Sequence, residues 1–483
     1  MAIAIDLPTL EVSEDELAQV EYMLKQLDHY RARNKVAEDY YEGRNKLKNL
    51  NITIPDTFRN LQTVVGWAGT AVDVLDERLE WQGWTSVDGD DLGLTQIYNQ
   101  NDLDADSGLG HLDALIYGTS FVVVGAADEG EPSPLITIES AKNMTGIWNA
   151  RTRRLDAALG VNSWSDTGAQ EVTLYTAYSN ITLQKNGSFW RVVDRDDHEL
   201  GRVMVAQMWN RPRGSVKGRS EITKAIRSYV DEGMRTMLGM TVNREFYSVP
   251  QRYILGADAA MFLDTNGNPT DSWATVAGRM TALPDPVREN EVDSDPTGRP
   301  TIGQFPAASP APYLEQLKGL SVMVAGEAGI PAGYFGFVTA NPSSADAMRV
   351  EEARLIKRAE RRQLMFGKTW MEVGKLAVLV RDGRDADLSA FENISVKWKD
   401  AATPTRSAAA DEATKLISAG VLPAESTVTY DRIGLNPQEQ RQLVSDRRQV
   451  QASQRLADIS AALRATDAGQ GLTEAPTDVE EAA

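Results

Sequence analysis

The 483-residue chain contains no cysteine. That excludes a disulfide framework, thiolate nucleophiles and cysteine zinc sites, and it fits assembly in a reducing cytoplasm. Histidine is scarce: His29, His111 and His198 are the three. None stands in an HExxH spacing or in a close pair, so zinc catalysis has little support. No apolar run approaches the ~20 residues that cross a bilayer, so no membrane association is expected. The opening "MAIAIDLPTLEVSEDE" lacks a basic stretch ahead of an apolar one, and no secretion signal is read there. Walker, Rossmann, kinase and GxSxG fingerprints are missing as well. "GSVKGRS" (214–220) is glycine-rich but lacks the Walker spacing, and reads as a loop before a helix.

What is abundant is acid. Fifty Lys and Arg face 69 Asp and Glu, a formal net charge of -19. Phosphate is repelled by such a surface, which argues against a protein that wraps nucleic acid all over. Local basic contacts remain compatible with it, as does a channel whose walls should not grip DNA. Hydrophobic content of 42% and charged content of 25% are ordinary for a folded protein. The length suggests about two to four domains.

Periodicity outlines the elements. Val12, Leu17, Val20, Leu24, Leu27 and Tyr30 predict a helix over 12–42, with Gly43 as its stop. A second helix is expected over about 57–80, and two more near 92–101 and 103–117. Gly118 breaks the last of these, and Phe121–Val124 read as a buried strand. Short β-rich runs follow to residue 209: "PLITIES", "EVTLYTAYS", "ITLQ", "SFWRVV" and "RVMVAQMW". Asn186-Gly187 between two of them signals a hairpin. Helix returns at 219–246, with Ser220 as a candidate cap and Glu221 suited to the first turn. The stretch 247–310 is irregular and proline-rich. Helices are expected at about 311–328 and 344–380, a strand within 388–398, and helices over 404–465 with stops at Gly420 and Gly434. The small, acidic tail from Asp467 is expected to be disordered. The fold class is α+β.

With so many acids, a cation site or a carboxylate pair is the first chemistry to consider. Asp102, Asp104, Asp106 and Asp113 fall at positions 1, 3, 5 and 12 of a calcium-loop template. Ser107 stands where the sharp turn needs glycine, and Asp113 is shorter than the bidentate Glu. Leu103, Leu109, Leu112, Leu115 and Ile116 carry a helical period through the segment, so these acids read as helix surface. "DTNGN" (264–268) is more simply a turn. A carboxylate pair of hydrolase type could form in space, but an acidic chain produces such pairs by chance.

The most informative stretch is "NPSSADAMRVEEARLIKRAERRQ" (341–363). Asn341-Pro342 favours a turn, and Ser343 can cap a helix with Asp346 three residues on. Met348, Leu355, Ala359, Phe366, Trp370, Val373, Ala377 and Val380 then form one apolar stripe. The helix they predict is about 55 Å long, far beyond the usual ~12 residues, and suits an element that spans subdomains or an assembly. Its bases, Arg349, Arg354, Lys357, Arg358, Arg361 and Arg362, find few acids at helical spacing. They are expected to form a solvated face or contacts to a neighbouring subunit, with DNA phosphate as the alternative.

Several segments in order resemble the portal proteins of tailed bacteriophages. They are "YYEG"; "VVGWAGTAVDVLDERLEWQGW" (64–84); "ALIYGTSFVVVGAADEGEP" (114–132) running to "ITIESAKNMTGIWNARTRRLDAALGV" (136–161); "GRSEI" (218–222); "FYSVPQRYILGAD" (246–258); "LSVMVAGEAGIPAGYFGF" (320–337); and the stretch quoted above. No one segment is specific alone, but the co-linear set covers about residues 15–465.

That resemblance implies a portal fold with long helices around a ring tunnel. It places a wing at 1–219, a stem helix at 220–249, a clip at 250–310 and a returning stem helix at 311–328. A tunnel-loop region follows at 329–345, then the long helix and wing return at 346–403, a crown at 404–466 and the acidic tail at 467–483. The implied role is non-enzymatic and without cofactor: a ring, usually a dodecamer, at one capsid vertex of the virion, assembled in the host cytoplasm. Double-stranded DNA would pass through it in packaging and ejection. Implied partners are further copies of the chain, the terminase large subunit, the head–tail adaptor, the major capsid protein and the scaffold protein. Thr339, Asn341, Ser343 and Ser344 would form the polar lip of the tunnel. An acidic carboxylate-pair hydrolase and another phage minor head protein are the competing readings.

Overall fold

The structure is a computed structural model that describes residues 12–47, 63–187, 189–214, 218–247, 252–255, 301–304, 309–336, 345–404 and 406–470. It divides into two units, Met1–Ala401 and Ala402–Ala483.

In the first unit, helix α1 (Glu14–Tyr41) starts at a capping box. Ser13 accepts from the Glu16 N–H, and the Glu16 carboxylate accepts from the Ser13 N–H. Helices α2 (Trp67–Asp76), α3 (Leu94–Gln100) and α4 (Leu103–Tyr117) follow, with strand β1 (Trp81–Ser86) between the first two. The helix expected over 57–80 is therefore shorter. It ends at Asp76, and Trp81 enters a strand; residues 57–62 lie outside those described. Strands β2 (Thr119–Gly125), β3 (Leu135–Ser140) and β9 (Val205–Trp209) form an antiparallel sheet ordered β3-β2-β9. Between them in sequence, β4 (Met144–Asn149), β5 (Arg154–Ser165), β6 (Gly168–Tyr175), β7 (Asn180–Asn186) and β8 (Phe189–Asp196) make a five-stranded meander. The hairpin signal at Asn186-Gly187 is borne out: β7 pairs with β8, and Gly187 takes φ 65° at the turn.

Helix α5 is Lys224–Tyr247, and the short strands β10 (Arg252–Leu255) and β11 (Thr301–Gln304) pair antiparallel. Most of the proline-rich 250–310 lies outside the described residues. Helix α6 is Ala311–Ala328, and the long helix α7 is Ala345–Asp382. Strand β12 (Ile394–Trp398) returns to pair with β1.

The stripe expected on the long helix is its core face. Leu355, Ala359, Phe366, Trp370, Val373 and Ala377 are fully buried. Trp370 stacks on Trp81 at 3.9 Å between centroids, and its carbonyl accepts from Trp84 Nε1 at 3.0 Å. Its own Nε1 donates to His111 Nε2 at 2.9 Å. That fixes His111 as a neutral ring, and burial pushes its pKa down to about 3. A smaller core forms where Val20, Met23 and Leu27 of α1 cover Leu159, Val172, Leu174 and Ile181 of the meander.

The second unit is helical: α8 (Arg406–Ser418), α9 (Thr427–Ile433) and α10 (Pro437–Gln470). Gly420 and Gly434 take φ 70° and 83° at the expected stops. The tail expected to be disordered from Asp467 starts inside α10, because "AALRATDA" (461–468) is rich in helix formers; residues 471–483 lie outside the described ones.

Candidate functional site

The bases of α7 find their partner on the connection from β9 to α5. That connection is built backbone to backbone. Asn210 N–H donates to the Gly118 carbonyl at 3.0 Å, and Arg219 N–H donates to the Asn210 carbonyl at 2.7 Å. Glu221 N–H donates at 2.9 Å to the carbonyl of Leu115, one of the unsatisfied carbonyls at the C-terminal end of α4. Gly218 passes so close that a Cβ there would fall 1.6 Å from the Gly118 carbonyl oxygen. Any side chain at 218 would force the segment away from α4.

Held in this way, the Glu221 side chain points inward and is 1% exposed. Arg362 Nη2 donates to its Oε1 and Arg358 Nη2 to its Oε2, each at 2.5 Å. Asn210 Nδ2 reaches Oε1 at 3.1 Å and Arg211 Nη1 reaches Oε2 at 3.3 Å. Each carboxylate oxygen thus has two donors. Burial alone would push the Glu221 carboxyl up, but the guanidinium groups of Arg362, Arg358 and Arg211 outweigh it and hold the carboxyl below its usual range. Burial weakens the Arg358 cation, against the attraction of Glu221. Guanidinium nevertheless stays charged in proteins. One carboxylate among three guanidiniums therefore locks α7 to the entrance of α5.

The bases expected to face a neighbour or DNA now separate. Arg358 and Arg362 are a correction: their partner is Glu221 of the same chain, 137 and 141 residues away in sequence. Helical spacing could not show a partner so distant. Arg354, one turn earlier, donates to the Gly326 carbonyl at 2.8 Å, at the negative end of the α6 dipole. Lys357 and Arg361 are exposed, and neither makes an ion pair among the described residues. Arg349 lies on α7, with its side chain outside the description. Thr339, Asn341, Ser343 and Ser344 lie outside the described residues altogether.

Glu221 is the residue that sequence reasoning misplaced. It is not a first-turn acid, because α5 begins at Lys224. The side chain over the first turn is Thr223, which accepts from the Ile226 N–H at 3.3 Å. A signal did exist on the other side. Arg362 sits between Ala359 and Phe366 on the apolar stripe, where an arginine must be buried and must have a counter-charge.

A second tie holds the front of α7. Arg78 reaches Glu352 at 3.4 Å, and Tyr334 donates to the same Glu352 oxygen at 2.8 Å. The candidate calcium acids do not converge as loop ligands. Asp104 and Asp106 occupy the first turn of α4, and Asp113 lies further along the same helix.

These elements define a helix-and-strand scaffold in which one long helix is fixed by buried charge. The family described as "Phage portal protein, SPP1 Gp6-like" matches residues 20–449. The portal protein of Mycobacterium phage L5 is 32% identical over 435 residues, covering 87% of this chain and 86% of that protein. The portal protein of Mycobacterium phage D29 is 32% identical over 401 residues, covering 80% of this chain and 79% of that protein. A solved structure, the neck of an empty GTA particle computed with C6 symmetry, is 12% identical with a TM-score of 0.43. It covers 77% of this chain and 91% of that one. The chain belongs to the phage portal protein family, a structural family.

Proposed function

We propose that the chain assembles with copies of itself into a ring at one vertex of a phage capsid, and that the genome passes through that ring during packaging and ejection. The observation that carries the reading is the family match, which runs through 20–449 and so through both units of the chain. Partners of the ring would be the terminase, the head–tail adaptor, the major capsid protein and a scaffold protein. Twelve subunits is the expected number. The chain has no catalytic role in this scheme and needs no cofactor.

Physical features support it. Leu314, Val322 and Met323 on α6, and Val350 and Leu364 on α7, are 50–76% exposed in the single chain. Large apolar side chains left open on two helices suit a subunit that closes a ring through heterologous contacts. The net charge of -19 suits a lumen along which DNA slides without sticking. In this reading 1–219 is the wing, 220–249 and 311–328 the stem, 250–310 the clip and 404–466 the crown. The Glu221 lock then joins the stem helix α5 to the long helix behind the tunnel loop at 338–345.

Negative-stain imaging of the purified chain tests the proposal. Rings with a central hole are expected. A chain that stays a monomer of 53.0 kDa at every concentration would contradict it.

A further inference from the structure

A second concentration of positive charge lies elsewhere on α7. Met365, Lys368, Thr369 and Glu372 share one helical face and form a wall of a cavity of about 900 Å³. The other walls are the end of β4, the turn after it and the start of β5, strand β9, and the loops at 201–203 and 212–214. Arg153, Arg154, Arg202, Arg213 and Lys368 line it, against two acids, Asp156 and Glu372. Both acids are already engaged. Asp156 accepts from Asn149 at 3.1 Å, and Glu372 pairs with Arg154 at 3.1 Å and Arg202 at 3.3 Å. Arg153, Arg213 and Lys368 are exposed and make no ion pair among the described residues. Three uncompensated cations around one concavity are unexpected in a chain of charge -19.

One further observation points to a ligand. Trp148 and Trp209 line the same cavity, packed edge to face at 5.8 Å between centroids. Trp148 is half-buried, and its open surface gives the floor an apolar anchor point.

We propose that this cavity is a docking pocket for an acidic peptide segment of a partner protein. An apolar side chain of the segment would rest on Trp148. Carboxylates on either side of it would meet Arg153, Arg213 and Lys368. The shape favours a peptide over duplex DNA. A duplex presents a broad convex backbone that would touch the rim cations and leave the recessed indoles unused. The two indoles also pack on each other and leave no slot between them for a base. The site is separate from the tunnel reading and stands on these side chains whether or not a ring forms.

The test is fluorescence anisotropy with a labelled peptide of sequence EELEEFEE, titrated with the full-length chain. Saturable binding that weakens as salt rises is expected. The double variant Arg213→Glu/Lys368→Glu should weaken it by about tenfold or more. Both residues are exposed, and an unchanged melting temperature would show that the variant folds. Trp148→Ala should weaken the peptide with its apolar residues but leave an all-glutamate peptide unaffected. No binding up to roughly 1 mM, or equal binding by the double variant, would overturn the proposal. So would a short DNA duplex that binds more tightly than the peptide and needs the same cations.

Discussion

Arg362 Nη2 lies 2.5 Å from Glu221 Oε1, joining two residues 141 positions apart at a carboxylate that is itself 1% exposed. Removing one partner leaves buried charge without compensation. Glu221→Ala should therefore cost about 3–5 kcal/mol, read by denaturant unfolding. Glu221→Gln keeps the shape and loses the charge. A double-mutant cycle of Glu221→Gln with Arg362→Met should give a coupling of roughly 1.5 kcal/mol or more. A coupling near zero would mean that the two side chains act independently.

The same carboxylate makes stability depend on acid. Its folded-state pKa lies below the unfolded value, so the folded chain holds fewer protons than the unfolded chain in that range. The contribution is fully present above the usual Glu range and is lost as pH falls through the depressed value. Melting curves from neutral pH downward should show wild type losing stability below about pH 4.5, and Glu221→Gln losing less over the same interval. Parallel curves would show that Glu221 is not the group responsible.

Arg361 and Arg358 are three residues apart on α7 and should behave differently. Arg358→Glu sets a second carboxylate beside Glu221 and should lower the melting temperature sharply. Arg361 is exposed, so Arg361→Glu should change stability by less than about 0.5 kcal/mol. If Arg361 meets a neighbouring subunit or DNA, the same change should reduce ring yield or DNA packaging. Normal assembly and packaging by a stable Arg361→Glu chain would remove that role.

Asp76 carries a pH signature of opposite sign. Its Oδ1 is buried with no hydrogen-bond partner among the described residues. Burial first, then the charges of Asp73 and Glu77, push its carboxyl up to about 7. The folded chain then binds a proton that the unfolded chain releases, so stability falls as pH rises from the usual Asp range to about 7. Asp76→Asn should be more stable than wild type by roughly 1–2 kcal/mol near pH 8, with the gain shrinking toward pH 5. A gain independent of pH would point to packing and not to charge.

Much of the scaffold is legible in the sequence because its signals are local. Helix α4 appears where periodicity and the Gly118 stop place it, α6 spans the expected 311–328, and six of the eight stripe residues on α7 are fully buried. Strand β1 is not legible. "WQGWTS" has no clean alternation, and its partner β12 lies some three hundred residues further on. The charge cage was hidden for the same reason. Glu221 resembles an ordinary first-turn acid until Gly218 and Gly118 are seen to press two backbone segments together. Arg362 could have been flagged from the sequence, since it interrupts the apolar stripe of α7, but nothing local names its counter-charge.

The most direct test of the account is a side-chain-resolution map of the assembled chain by electron cryomicroscopy. The account predicts a closed ring with residues 338–345 lining the central hole, and with Glu221 of each subunit held by Arg358 and Arg362 of that same subunit. A map with no closed ring, or a ring in which Glu221 pairs with arginines of a neighbour, would contradict it.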